Sequence, residues 1–419
     1  MATATKSKAH DVGAVKNGSK TPREHWGTRR RIADLLDHID EENIDELIDR
    51  VTKRGGGPKI IAGFHPQASW LWKQWHGTVL QQTWRPAIGM MAVALLFVLC
   101  MEHCRTWPLL AVPDGDNSMI MQIKGLNKMW GYLLTMTTFV NSFFLSQAYG
   151  FWLATKGNIR KVQGRLNDIG ILLATHAKRD ESAQYLPESR ELLQEVARWV
   201  RLFHILYWAS QVRPAVGDEI TSISVLRTEP GLARLRERGL ITKREHKLLL
   251  SGALTETTRY VVVLEWIISR FTQARAKGML DGGAGFESLI LEKSLLLRST
   301  CASVTDDIAA RMPLAYIHLV QILVDALVIL APIALFSSLG VFIIPLVGLL
   351  TTFYRGFTVL SKSFLDPFGN EDSLSENFNI FCLLCETNAG SVRWYSALEQ
   401  LPYDSLSLGA SEEGSDSQE

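Results

Sequence analysis

The chain has 419 residues, 47% of them hydrophobic, and a formal net charge of +1. That balance excludes bulk electrostatic attraction to nucleic acid, and the clustering of the apolar residues argues against a wholly soluble protein. The five cysteines lack the even framework of a small disulfide-stapled secreted domain.

Residues 1–30 are rich in Lys, Gly, Ser and Thr, read as disordered, and hold no apolar core of a cleavable signal. Residues 31–54, "RIADLLDHIDEENIDELIDRVTKR", place apolar side chains at helical spacing between charges and predict an amphipathic helix. "RGGGPK" ends it. Trp70, Trp72, Trp75 and Trp84 then crowd the approach to the first long apolar run, and Trp107, Trp130 and Trp152 mark further candidate membrane edges.

Three stretches are nearly free of charge. Pro86–Met101 and Gly131–Thr155 carry none, and Met312–Tyr354 carries only Asp325. About 20 apolar residues cross about 30 Å of hydrocarbon, so the last stretch holds two spans hinged at "SSLG". The predicted spans are 84–104, 129–155, 312–336 and 340–362. Basic residues concentrate after the second span, which puts residues 156–311 and both termini on the cytosolic or stromal side. Within that region "PESRELLQEVARWVRLFHILYWASQ" predicts a helix too short in its charge-free part to span. "EPGLARLRERGLITKREHKLLL" predicts helix, Gly turn, Thr cap, helix, and "RYVVVLEWIISRFTQARAK" a further helix packed into protein. Residues 403–419 read as a disordered acidic tail.

No enzyme motif emerges. HExxH is absent, and His176, His204, His246 and His318 lack ligand spacing. "RGGGPK" and "DGGAG" do not make a phosphate loop. Cys382-Leu-Leu-Cys385 has no partner pair and reads as part of a helix rather than a metal site.

The second span is unusually polar, with Thr135, Thr137, Thr138, Asn141, Ser142, Ser146 and Gln147. Thr135, Phe139 and Phe143 recur every four residues and lie near one helix face. Such a face suits either helix packing or, repeated around an axis, a narrow apolar neck that gates by dewetting. Asp325 and Arg355 lie at similar depth counted from the hinge; intramembrane charges are functional candidates, which would put Arg355 on an anion path, but the favoured reading is structural, with Arg355 paired to Asp325 or its long side chain snorkelling. After the last span, "SFLDPFGNEDS" crowds Asp366, Glu371 and Asp372 around a Pro–Gly turn. Clustered carboxylates can hold calcium, which takes six to eight oxygens; they also suit a capped helix end.

Four stretches taken together resemble the bestrophin family of anion channels over about residues 65–390, within a channel domain expected over 65–402: "WHGTV", "TTFVNSFFLSQAYGFW", "RMPLAYIHLV" and "DPFGNED". The resemblance implies an all-α membrane protein with four transmembrane helices and a large helical cytosolic region, assembled as a homopentamer in the lipid bilayer around one axial pore. It implies passive conduction of chloride and other small monovalent anions, with bicarbonate or nitrate as further candidates; a non-conducting membrane scaffold is the alternative. It implies that Thr135, Phe139 and Phe143 form the neck, that Asn141, Ser142 and Ser146 line the pore, and that Gly285 and Phe286 form a second constriction. It further implies a calcium clasp at the acidic stretch. Here Asn370 and Leu374 stand where further acids are expected, so calcium dependence should be weak. No other cofactor is implied.

Overall fold

The computed structural model describes residues 41–61, 63, 67, 69, 73–75, 77–106, 119–212, 223–251, 254–369 and 377–401. The stretches predicted as disordered, 1–30 and 403–419, lie outside the described residues, as do residues 31–40 of the amphipathic helix. All regular elements among the described residues are helical, with only two isolated β-bridges. In chain order the α-helices are α1 (Glu41–Thr52), α2 (Val79–Thr106), α3 (Met119–His176), α4 (Pro187–Gln211), α5 (Glu229–Glu237), α6 (Lys243–Leu249), α7 (Arg259–Ala276), α8 (Ala284–Ala309), α9 (Leu314–Leu339), α10 (Ile343–Phe364) and α11 (Ile380–Ser396).

Two runs, Val79–His103 and Leu314–Phe364, are long and apolar enough to cross a membrane. The second is broken where predicted. Gly340 takes φ +52°, a left-handed conformation that glycine adopts without Cβ strain, and it separates α9 from α10. The 129–155 run lies within α3, and its hydroxyl and amide side chains keep it below the apolarity of the other two. α2 packs on α10, while α9 and α10 pack on α3, α10 through Tyr354, Thr358 and Phe364 in its second half. Close approach is built into the α2–α10 contact: a Cβ at Gly348 would meet Met91 Sδ at 2.6 Å, and one at Gly356 would meet Val79 at 2.7 Å. The shared core includes Ala94, Phe144, Ala148, Val324, Leu327 and Val347.

The remaining helices form a second packed region around the lower half of α3. α4 is buried along its whole C-terminal half, with Phe203, Tyr207 and Trp208 inaccessible to solvent. Its charge-free segment therefore fills a protein core, as its length predicts; burying each such ring contributes about 1.5–3 kcal/mol. α7 and α11 pack on α4, and α8 runs along α3. The α11–α3 crossing is tight, because the Trp394 ring occupies the space above Gly170, where a Cβ would sit 2.0 Å from it. The predicted turn between α5 and α6 forms with Thr242 as N-cap of a full capping box with Glu245.

α1 buries the apolar face that its periodicity predicts, through Ile44, Leu47, Ile48 and Val51, against α11 and α5. Arg234 on α5 donates to both Asp45 oxygens at 3.1 Å, and Arg238 lies 3.5 Å from Asp49. Asn388 Nδ2 donates to Val51 O at 2.6 Å and Lys53 O at 3.1 Å.

Candidate functional site

The packing of α3 defines which of its faces is free. Trp130, Thr137, Asn141, Phe144, Ala148 and Trp152 are buried; at 100° per residue they centre on one side of the helix. Phe139 points the opposite way and is 72% exposed, with Phe143 at 50%. Thr135, Ser142 and Ser146 are exposed beside them. Further along the same face stand Gly150, Gly157 and Gly164, where an added Cβ would meet nothing within 4 Å. The free face thus carries two large rings in the membrane segment and no side chain at three successive heptad positions below it.

Asn141 corrects the expected grouping. It is 1% exposed on the packed side, and its Nδ2 donates to Tyr354 O at 3.1 Å. Its Oδ1 accepts from Thr358 Oγ1 at 3.4 Å, while the Thr138 and Tyr354 hydroxyls meet at 2.7 Å. A buried amide requires partners, so Asn141 ties α3 to α10 instead of joining Ser142 and Ser146. The tryptophans expected at membrane edges divide in the same way. Trp75 and Trp84 are exposed, but Trp130 turns inward to donate from Nε1 to Leu327 O at 2.9 Å, and Trp152 is buried against Phe378, centroids 4.9 Å apart. Trp70, Trp72 and Trp107 lie outside the described residues.

Phe286 is a second correction. Gly285 is exposed at the start of α8, but Phe286 is 7% exposed. Its ring stacks on His176 at 3.8 Å and meets the edge of Phe271 at 5.7 Å. The backbone clasps Asp281 N→His176 O (2.7 Å) and Lys178 N→Met279 O (3.0 Å) hold this arrangement. The ring seals the junction of α3, α7 and α8.

The acidic turn folds as a turn. Gly369 takes φ +65° and donates its N–H to Asp366 O at 3.2 Å. Pro367 O accepts from Phe378 N at 2.7 Å, and Phe368 is buried against Trp208 and Phe378. The Asp366 side chain is also buried, with the Arg311 guanidinium 3.8 Å away. A guanidinium at that distance opposes a cation on the same carboxylate. Glu371 and Asp372 lie outside the described residues, and no group of three or more metal-ligating side chains occurs among the described ones. Cys382 and Cys385 are free and buried on α11. Burial pushes the Cys382 thiol up to about 11, and its Sγ donates to Glu386 Oε1 at 3.3 Å.

Asp325 and Arg355 do meet: Arg355 Nη2 donates to Asp325 Oδ1 at 2.9 Å. The pair extends into a ladder that sequence reasoning missed. Gln321 Nε2 donates to Asp325 Oδ2 at 2.7 Å, and Lys362 Nζ donates to Gln321 Oε1 at 2.9 Å. Residues 321 and 325 are one helical turn apart on α9, and 355 and 362 two turns apart on α10; that spacing was the available signal. Of the histidines considered as ligands, His204 is fully buried, accepts from Trp208 Nε1 at 2.8 Å, and is pushed down to about 3 by burial. It stays neutral and is held in the core.

Comparisons with known proteins bear on the fold and the family. No curated protein matches the chain. Its described fold is similar to a solved bacterial bestrophin homologue from Klebsiella pneumoniae, with TM-score 0.55, 14% identity, 77% of this chain and 100% of that chain covered. A point variant of that homologue gives TM-score 0.56 at 13% identity, over 75% of this chain and 98% of that one. The family model described as "Bestrophin, RFP-TM, chloride channel" matches residues 68–385. With three quarters of its length inside that match, the chain belongs to the bestrophin family of chloride channels.

Proposed function

We propose that this chain assembles as a homopentamer in a lipid bilayer and conducts chloride and other small monovalent anions passively through an axial pore lined by α3. The carrying observation is the free face of α3, on which Phe139 and Phe143 are exposed directly opposite the seam packed by α9 and α10. Large apolar side chains on a membrane helix that do not pack within their own subunit suit a shared central neck. In this reading α2, residues 129–155 of α3, α9 and α10 are the four spans. Residues 65–402 form the channel domain, and both termini lie on the cytosolic or stromal side. Below the neck, the bare glycine positions leave a wide passage, and exposed Lys161 on the same face raises the local anion concentration.

The experiment is anion flux through purified protein in liposomes, with chloride, nitrate, bicarbonate and sodium offered in turn. Chloride and nitrate should pass and sodium should not; absence of any flux would favour a non-conducting scaffold. Phe139→Ala with Phe143→Ala should widen and wet the neck and give a larger, constitutively open conductance. An unchanged conductance in the double variant removes these rings from the neck.

Calcium dependence should be weak or absent, because Asp366 is occupied by Arg311 and the remaining acids are few. Currents compared in chelator, micromolar and millimolar calcium should differ by less than about twofold. Steep activation at submicromolar calcium that vanishes in Glu371→Gln would restore a full clasp.

A further inference from the structure

The outer end of α3 carries two polar groups whose position the neck alone does not explain. Lys128 and Tyr132 stand eleven and seven residues before Phe139, which places both within about 20° of its direction. Both are exposed, Tyr132 at 67%. Neither the Lys128 ammonium nor the Tyr132 hydroxyl has a partner among the described residues, whereas Tyr185 donates to Ala174 O at 2.9 Å and Tyr354 meets Thr138 at 2.7 Å. The other hydroxyl on this side of the neck is spent, since Thr135 Oγ1 donates to Gly131 O at 3.1 Å. From Gly131 to Thr155 the helix has no charged residue. Among the described side chains, an anion approaching from the outer side therefore meets the Lys128 ammonium and the Tyr132 O–H donor, one turn apart, and then about 10 Å further on the first phenylalanine.

We infer that Lys128 and Tyr132 form the outer capture site of the pore, where a small monovalent anion is concentrated by the ammonium and takes the phenol O–H in place of a hydration water before it enters the neck. The site rests on the channel reading proposed above. The two groups have separable tasks. The ammonium acts through the field and raises anion occupancy, so its effect is strongest at low chloride and is screened by salt. The phenol donates one directed hydrogen bond, which favours a strongly hydrated anion such as chloride over a weakly hydrated one such as thiocyanate.

The test uses the full chain in liposomes or planar bilayers, with assembly of each variant checked by size. Lys128→Gln should lower chloride conductance about threefold at chloride well below saturation and leave the saturated conductance unchanged. Lys128→Arg should restore it, and added inert salt should erase the difference. Lys277→Gln, which removes an exposed charge at the end of α7, should change nothing. Tyr132→Phe should raise the thiocyanate-to-chloride permeability ratio about threefold, the equivalent of about 0.7 kcal/mol, in the range of one net hydrogen bond. If the parent conducts chloride and Lys128→Gln and Tyr132→Phe both match it, the capture site is overturned and the channel reading stands. If the parent conducts no chloride, both are overturned.

Discussion

Replacing Glu245 by Gln is expected to destabilise the helical region around α4, α5 and α6 by about 3–5 kcal/mol, the range for removing one partner of a buried charge pair. Glu245 is 8% exposed and accepts four hydrogen bonds. Arg198 grips both of its oxygens at 2.7 and 2.8 Å, Trp199 Nε1 donates at 2.6 Å, and Thr242 N donates at 2.8 Å. Arg198 also donates to Leu240 O at 2.9 Å, so a single guanidinium pins the α5–α6 turn to α4. Glutamine puts an NH2 donor against the Arg198 fork and leaves a buried cation without its counter-charge. Burial alone would raise the Glu245 carboxyl, but the hydrogen bonds from Arg198, Thr242 and Trp199 outweigh it and hold it down at about 2, against an ordinary 4.5. The depressed value means that this contribution is complete above pH 4.5 and is lost as pH falls from 4.5 toward 2. Thermal unfolding in detergent across that range checks both parts. The Glu245→Gln midpoint should lie well below the parent's at neutral pH, and the gap should narrow in acid. A variant that melts with the parent at pH 7 removes the lock from the stability of this region.

Asp325→Asn is expected to cut the yield of assembled protein sharply. The Asp325 and Arg355 side chains are each about one-third exposed on the protomer, at 33% and 30%, inside segments apolar enough to cross a membrane. With the carboxylate gone, Arg355 keeps its charge in an apolar segment, which is unfavourable by about 2.5–3.5 kcal/mol at a helix centre. The loss of Asp325 also frees Gln321, and with it the anchor of Lys362. Adding Arg355→Gln removes the stranded charge and should recover much of the yield. Size-exclusion profiles of the parent, single and double variants decide it: a double variant no better than Asp325→Asn dissolves the pairing argument.

What the sequence made legible was whatever is encoded locally. The charge-free runs, the hinge before Gly340, the Thr242 cap and the bounds of α4 all follow from composition and short-range chemistry. The Asp325–Arg355 pair was legible because depth can be counted along two helices from a shared hinge. Asn141 was within reach of the same arithmetic, since two residues from Phe139 is about 200° around the helix; its polarity was weighed and its direction was not. Phe286 and Trp130 depended on tertiary partners, His176 and Leu327, distant in the chain. The Glu245 lock joins residues 47 apart, and nothing near Arg198 marks it for that carboxylate. The amphipathy of α1 announced a buried face but not that α5 and α11 would cover it.

α3 runs unbroken for 58 residues, a rod of about 87 Å with no proline along it. Helices bend sharply at identifiable defects, and none interrupts this one between Phe139 and His176. A pore lined by such rods has no joint at which its membrane half could move while its lower half stays still. A small turn of the lower end, where α8 and α11 grip it, arrives at Phe139 as the same turn. Sensing and gating would then be two ends of one lever, and anything that binds the helices around the lower end of α3 would exert torque on the neck with no relay between them.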